Sequence, residues 1–299
     1  IRARQRLVKL LEEYKQALIH QAVTGRIDAR TGGPYPEYKD SGVEWLGDVP
    51  SHWEVVQLAR CIHHIDQGWS PVAAEGGVNE DQWVVLTLSA VRRGRFDPGA
   101  FKPIPVNASI PAGIEVCEGD LLITRSNTPD RVGDVCIVKG VRPRTILCDL
   151  IYRLRLRNQD LETGYLMRVL LSRVGRDQIE RDARGSSGTM PKISQQRMRA
   201  WRIALPPLPE QTAIVRFLDE QTASLDRAAQ AARREIDLLE ELRTRLIADV
   251  VTGKLDVREV AARLPEEEDE SELLDELEAG AGVGGGAGDL DETPVEAEA

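Results

Sequence analysis

Aromatic residues are scarce in this sequence: Phe, Tyr and Trp make up 4% of its 299 positions. A core of stacked rings is excluded, and the interior has to be assembled from Leu, Ile, Val and Ala. Cysteine is equally sparse. The four thiols, Cys61, Cys117, Cys136 and Cys148, have no paired spacing and follow no secretory signal. That excludes a disulfide framework and points to reduced thiols in a cytoplasmic protein. Cys61-Ile62-His63-His64 offers three soft ligands, but the other cysteines stand alone, so no metal site is assigned. No apolar run approaches the roughly 20 residues needed to cross a bilayer, and no membrane partner is expected. The chain opens on Ile1-Arg2-Ala3 without a methionine, which reads as a fragment or a processed chain.

Catalytic signatures are missing as well. There is no phosphate loop ending in Gly-Lys-Ser/Thr, no G-x-G-x-x-G after a strand, no H-E-x-x-H and no G-x-S-x-G. Ser126-Asn127-Thr128-Pro129 suggests a base-flipping methyltransferase, but no aromatic follows to hold an extruded base and the cofactor loop is absent. No catalytic residue is assigned, and no cofactor is expected in this chain.

What is present begins with charge. The formal net charge is -10, which taken whole argues against a nucleic-acid partner. The charge is not spread evenly. Residues 264–299 hold 14 acidic residues and no basic ones, so residues 1–263 carry 39 bases against 35 acids. Residues 34–120 have 6 bases and 13 acids, whereas residues 121–205 have 17 bases and 8 acids. The tail, with its acidic runs and Gly280–Gly288, is expected to be disordered.

The strongest pattern is an internal repeat. Residues 10–28 (LLEEYKQALIHQAVTGRID) and 238–256 (LLEELRTRLIADVVTGKLD) agree at ten of nineteen positions, 228 residues apart. Each reads as the end of a helix terminated at Thr-Gly. In the first copy, Leu7, Leu11, Tyr14 and Leu18 recur at helical spacing. The second copy closes a longer run that starts near Glu210, after Pro206-Pro207-Leu208-Pro209. Its stripe passes through Ile214, Leu218, Leu225, Ile236, Leu239 and Leu246. Forty such residues would extend about 60 Å, so this face needs a partner helix in a coiled-coil-like pair. The other reading is two bundle helices with a bend at Ala228-Ala229.

Between the repeats the pattern predicts strands at 53–58, 83–90, 114–117, 121–124, 135–139, 146–156 and 201–205, with a helix over 161–175. The fold class is α+β: a mostly β domain with packed helices, flanked by long helices. Three basic groups stand out in it. Arg92, Arg93 and Arg95 share a turn. Arg125, Ser126 and Asn127 sit at a strand end, where a guanidinium can hold phosphate and an amide can read adenine. Arg184, Ser186 and Lys192 bracket a Gly/Ser loop whose backbone amides could approach phosphate. The competing reading of each is a solvated loop. Arg153, Arg155 and Arg157 alternate along one strand, lining a binding face or merely solvating the sheet.

Several of these segments are similar to one family. YPEYKDSGVEWLGDVPSHW (35–53) resembles the opening of a target recognition domain in the specificity subunits of Type I restriction–modification systems. LLITRSNTP (121–129), ISQQRM (193–198), LPPLPEQTAIVRFLD (205–219) and the two Thr-Gly helix ends resemble the same family, over residues 1 to about 260. The resemblance implies a non-catalytic subunit organised as 1–30, the end of a conserved spacer helix; 34–205, a target recognition domain; and 206–256, a second spacer helix. It implies that the helices pair as an antiparallel coiled-coil spacer and that the domain reads one half of a bipartite site in double-stranded DNA. The implied partners are methylation subunits that use S-adenosylmethionine on adenine and a restriction subunit. A second recognition domain would come from a longer chain or from a homodimer. The alternative is a protein-interaction module built on the coiled coil, without direct DNA readout.

Overall fold

The computed structural model describes residues 1–72, 74, 78–79, 81–157, 160–183, 190–258 and 262. The expected tail over 264–299, along with Arg184 and Ser186, lies outside the described residues. The chain divides into two compact units, Ile1–Ile236 and Asp237–Ala299.

The first unit opens with α1 (Arg2–Val23) and its Thr-Gly end. Two short strands, β1 (Tyr38–Asp40) and β2 (Asp48–Pro50), pair antiparallel around the YKDSGVEWLGDVP segment. The central sheet is antiparallel in the order β10 (Val135–Ile137), β9 (Leu121–Thr124), β12 (Ile151–Leu156), β4 (Ile62–Gln67). A second sheet joins β11 (Thr145–Ile146), β5 (Val84–Leu86) and β8 (Phe101–Pro103), with β11 parallel to β5. β6 (Val91–Arg92) and β7 (Arg95–Phe96) form a tight hairpin. β3 (Glu54–Gln57) pairs with the distant β13 (Arg202–Leu205), closing the domain. Helices α2 (Thr163–Leu171), α3 (Arg173–Ala183) and α4 (Gln195–Ala200) precede that last strand. Ser194 caps α4 by accepting from Arg197 N at 3.2 Å.

β9 is buried on both faces, and its first three residues, Leu121, Leu122 and Ile123, are accordingly apolar without alternation. Leu121 and Ile123 join the core packed beneath the helices, while Leu122 joins a second core shared with Val85, Ile104 and Ile146. Several expectations shift. The strand expected over 83–90 ends at Leu86 and gives way to a 3₁₀ turn at Leu88–Ala90, where Ala90 N bonds Thr87 O. Residues 114–117 contribute a lone bridge, Glu115 to Ile146, in place of a strand. The helix expected over 161–175 is two helices, broken at Ser172, whose extended backbone (ψ 165°) ends α2.

The Pro-rich entry behaves as its chemistry dictates. Helix α5 (Leu208–Val251) starts two residues after Pro206, and Pro209 falls in its first turn, where its missing N–H goes unneeded. It runs as one helix through Ala228-Ala229. Glu210 and Gln211, both buried, tie its start to the domain. Glu210 meets His52 Nε2 at 2.9 Å, Trp53 Nε1 at 3.3 Å and Arg30 Nη2 at 3.1 Å. Gln211 accepts from Glu162 N and donates to the carbonyls of Asp160 and Pro206. The LPPLPEQ motif is thus an anchor.

Within the first unit, α1 and the early part of α5 are linked by ion pairs in antiparallel order: Arg4 to Glu235, Glu12 to Arg233 and Lys15 to Asp226. Of the expected stripe residues, Leu18, Ile214 and Leu218 are buried, and Leu11, Leu225, Ile236 and Leu239 are half-buried. Leu7, Tyr14 and Leu246 are exposed, so the expected stripe is only partly covered.

Candidate nucleic-acid interface

The first basic group sits on the β6–β7 hairpin. Arg92 pairs with Arg95, leaving a two-residue Arg93-Gly94 turn in which Gly94 adopts φ +74°. That positive φ is the reason for glycine at the tip. Arg92, Arg93 and Arg95 are all exposed. The hairpin is pinned to the central sheet by Gly94 N donating to Val135 O at 2.8 Å.

The second group follows β9. Residues 124–134 fold back on themselves, with Gly133 N donating to Thr124 O and Thr124 N to Asp134 O. Arg125 lies over the Tyr152 ring at 5.5 Å, and its Nη1 donates to Asp149 O at 3.4 Å. Burial raises the Tyr152 phenol, and the adjacent Arg125 opposes that rise. Ser126 is fully buried, which corrects the expectation of a hydroxyl facing DNA. It forms an isolated bridge with Lys192, so its backbone joins two segments instead. Asn127 is only 8% exposed, and its Oδ1 accepts from Thr128 N at 2.9 Å. Base readout through its amide would therefore fall to Nδ2.

The third group contributes the exposed Lys192. Ile193 N donates to Arg125 O at 2.8 Å, extending the junction begun at Ser126. The first group reaches the second through Arg93 Nη2, which donates to Asp130 O at 2.9 Å. Three stretches separated by tens of residues therefore meet along the end of β9.

Arg153 does not join them. It is buried and donates to Asp66, Asp120 and the carbonyls of Glu115 and Gly113. Arg155 pairs with the same Asp66. Burial pushes the Asp66 carboxyl up, but the two arginines outweigh it and hold it below its ordinary value. This strand face carries an ion network that is buried at Arg153 and exposed at Arg155. Arg131, absent from the groups read from sequence, stands beside Arg93; only its place in the loop after β9 could have flagged it. Cys61, Cys136 and Cys148 are buried, and burial raises each thiol, Cys136 to about 12 and Cys148 to about 11. Among the described residues, no group of three or more His, Cys, Asp or Glu side chains is placed to hold a metal ion. No helix among them is long and apolar enough to cross a membrane.

Residues 116–234 match the family described as the Type I restriction modification DNA specificity domain. The chain is 31% identical over 216 residues to the specificity subunit of the Type I restriction enzyme EcoEI from Escherichia coli, covering 72% of this chain and 35% of that protein. It is 22% identical over 289 residues to the EcoKI specificity subunit of Escherichia coli strain K12, covering 94% of this chain and 58% of that one. A chain solved in work on complex assembly and conformational transition of the type I R-M system superposes with a TM-score of 0.54 at 20% identity, over 83% of this chain and 53% of that one. That likeness concerns the fold. The chain spans 35% and 58% of the lengths of the two curated relatives.

Proposed function

We propose, since this chain carries a DNA specificity domain of the Type I restriction–modification family, that residues 34–205 bind duplex DNA and read one half of a split sequence. The observation that carries the reading is the meeting of three basic segments at the end of β9, the second and third of which fall inside residues 116–234, the stretch that matches the family. Exposed guanidiniums on a rigid hairpin beside a folded-back loop combine phosphate positioning with reach toward base edges. Arg92, Arg93, Arg95, Arg125, Asn127 and Lys192 are the DNA-facing residues of this reading, with Arg184 and Ser186 extending it.

The helices at 1–30 and 206–256 serve as a spacer and as the scaffold on which methylation subunits dock. A second recognition domain, supplied by a longer chain or by a second copy, reads the other half-site. Linking two weak readers through a rigid spacer selects the distance between half-sites, which neither achieves alone. The chain itself is non-catalytic. Adenine methylation with S-adenosylmethionine belongs to the methylation subunits, and cleavage to a restriction subunit, all in the cytoplasm.

Replacing Arg92, Arg93 and Arg125 together with alanine tests the assignment. Duplex affinity is expected to fall more than tenfold at fixed salt while the melting temperature holds, read by fluorescence anisotropy and circular dichroism. Unchanged binding by a folded variant would remove this face from the interface and favour a module that only recruits proteins.

A further inference from the structure

Beneath the hairpin and the folded-back loop lies a carboxylate that the DNA-facing residues do not include. Asp134 is 2% exposed. Arg93 Nε stands 3.7 Å from its Oδ1 and Arg131 Nε 3.6 Å from its Oδ2. From α3, Arg176 adds a third guanidinium, whose Nη1 donates to Val132 O at 2.8 Å. Three cations from three elements thus act on one buried carboxylate, and Arg176 Nη2 also lies 3.5 Å from Glu180.

The geometry is not that of a closed salt bridge. Asp134 Oδ1 accepts no hydrogen bond among the described residues, and neither does the buried Arg176 Nη2 donate one. Desolvation raises the carboxyl, and Arg176, Arg93 and Arg131 counter it. Arg176 is itself lowered, by burial first and then by repulsion from Arg93. Glu180 and Asp130, whose carboxyl is held below its ordinary value first by Thr128 and then by Arg131 and Arg93, bring the count to three positive and three negative charges, and the two arginines nearest solvent keep 63% and 36% of their side-chain surface. The support is stiff. Thr124 Oγ1 donates to Arg131 O, and Gly133 (φ +74°) approaches Ile179 so closely that a Cβ would sit 2.5 Å from its Cγ2.

We propose that Asp134 is a positioning residue, a buried counter-ion that holds Arg93 and Arg131 together as a site for one backbone phosphate of duplex DNA. This rests on the DNA-binding reading above. Without the carboxylate, like charges at this spacing splay apart; with it, both guanidiniums stay turned to the same point, where an anion completes the set. A phosphate suits this pair, because Arg93 and Arg131 present only donors and Asp134 lies buried beneath them.

The test is the salt dependence of duplex binding by the intact chain, comparing wild type with Asp134→Asn and Arg131→Gln. Loss of one phosphate contact lowers the slope of log K against log salt by about 0.9, the change expected for Arg131→Gln, with Arg131→Lys recovering most of it. Asp134→Asn makes the site more positive, yet it is expected to bind at least fivefold more weakly with a shallower slope. Tighter binding with an unchanged or steeper slope would mean the carboxylate only subtracts charge, and would overturn the proposal. Should Asp134→Asn fail to fold by circular dichroism, Arg131→Gln decides: an unchanged slope refutes the site. Wild type without salt-dependent binding would sink the DNA reading and this site together, whereas wild-type binding indifferent to both variants sinks the site alone.

Discussion

The two copies of the repeat share ten of nineteen residues and the same local geometry at their helix ends but differ in their surroundings. Gly25 has φ +74° and Gly253 φ +71°. Thr24 and Thr252 each donate Oγ1 to the carbonyl four residues earlier at 2.7 Å. Arg26 N and Lys254 N each reach back five residues, and Asp28 and Asp256 each receive the arginine two residues on. Yet Leu18, Ile19, Ala22 and Val23 are at most 7% exposed, while Leu246, Ile247, Val250 and Val251 lie between 37% and 79%. The helix end is written in its own residues, and burial is supplied from outside. For the first copy, what supplies it is the opening segment: Tyr38 OH donates to Gly25 O, and Pro50 and Trp53 close over Gly25.

Substitutions at equivalent positions sharpen that contrast. The largest difference is expected at the second apolar position of each copy. Ile19→Ala empties a fully packed site and should cost about 2–5 kcal/mol by chemical denaturation, whereas Ile247→Ala should stay within about 0.5 kcal/mol. Equal effects would mean that Ile247 is covered in solution. A smaller gap separates the glycines. Both variants to alanine carry the left-handed strain of about 1–2 kcal/mol. Gly25→Ala also sets a Cβ 2.3 Å from Pro50 Cδ, adding about 1–3 kcal/mol of overpacking that Gly253→Ala avoids.

The same contrast explains what was legible in the sequence. Segments governed by local chemistry read correctly: the Thr-Gly helix ends, the helix after Pro206-Pro207 and the buried strand LLIT. What depended on distant partners did not. Nothing near residue 62 announces that β4 pairs with β12 some ninety residues later, nor that Arg153 would be spent on Asp66 and Asp120. The most recognisable motifs, the 35–53 opening and LPPLPEQ, proved to be anchors between helix and domain. The candidate site is carried by plainer residues. Its arginines could be grouped by sequence, but the burial of Ser126 and the place of Arg131 above Asp134 emerge only when the hairpin, the loop and α3 are brought together.

The most direct test of sequence reading by this domain is selection from a pool of duplexes with randomised centres, bound by the intact chain at moderate salt and sequenced after successive rounds. The expected result is enrichment of one short element, present once or, where two copies pair, repeated at a fixed spacing, since each domain reads one half-site. Retention of duplexes with no enriched element, at any salt, would contradict it and leave only non-specific attraction to phosphate.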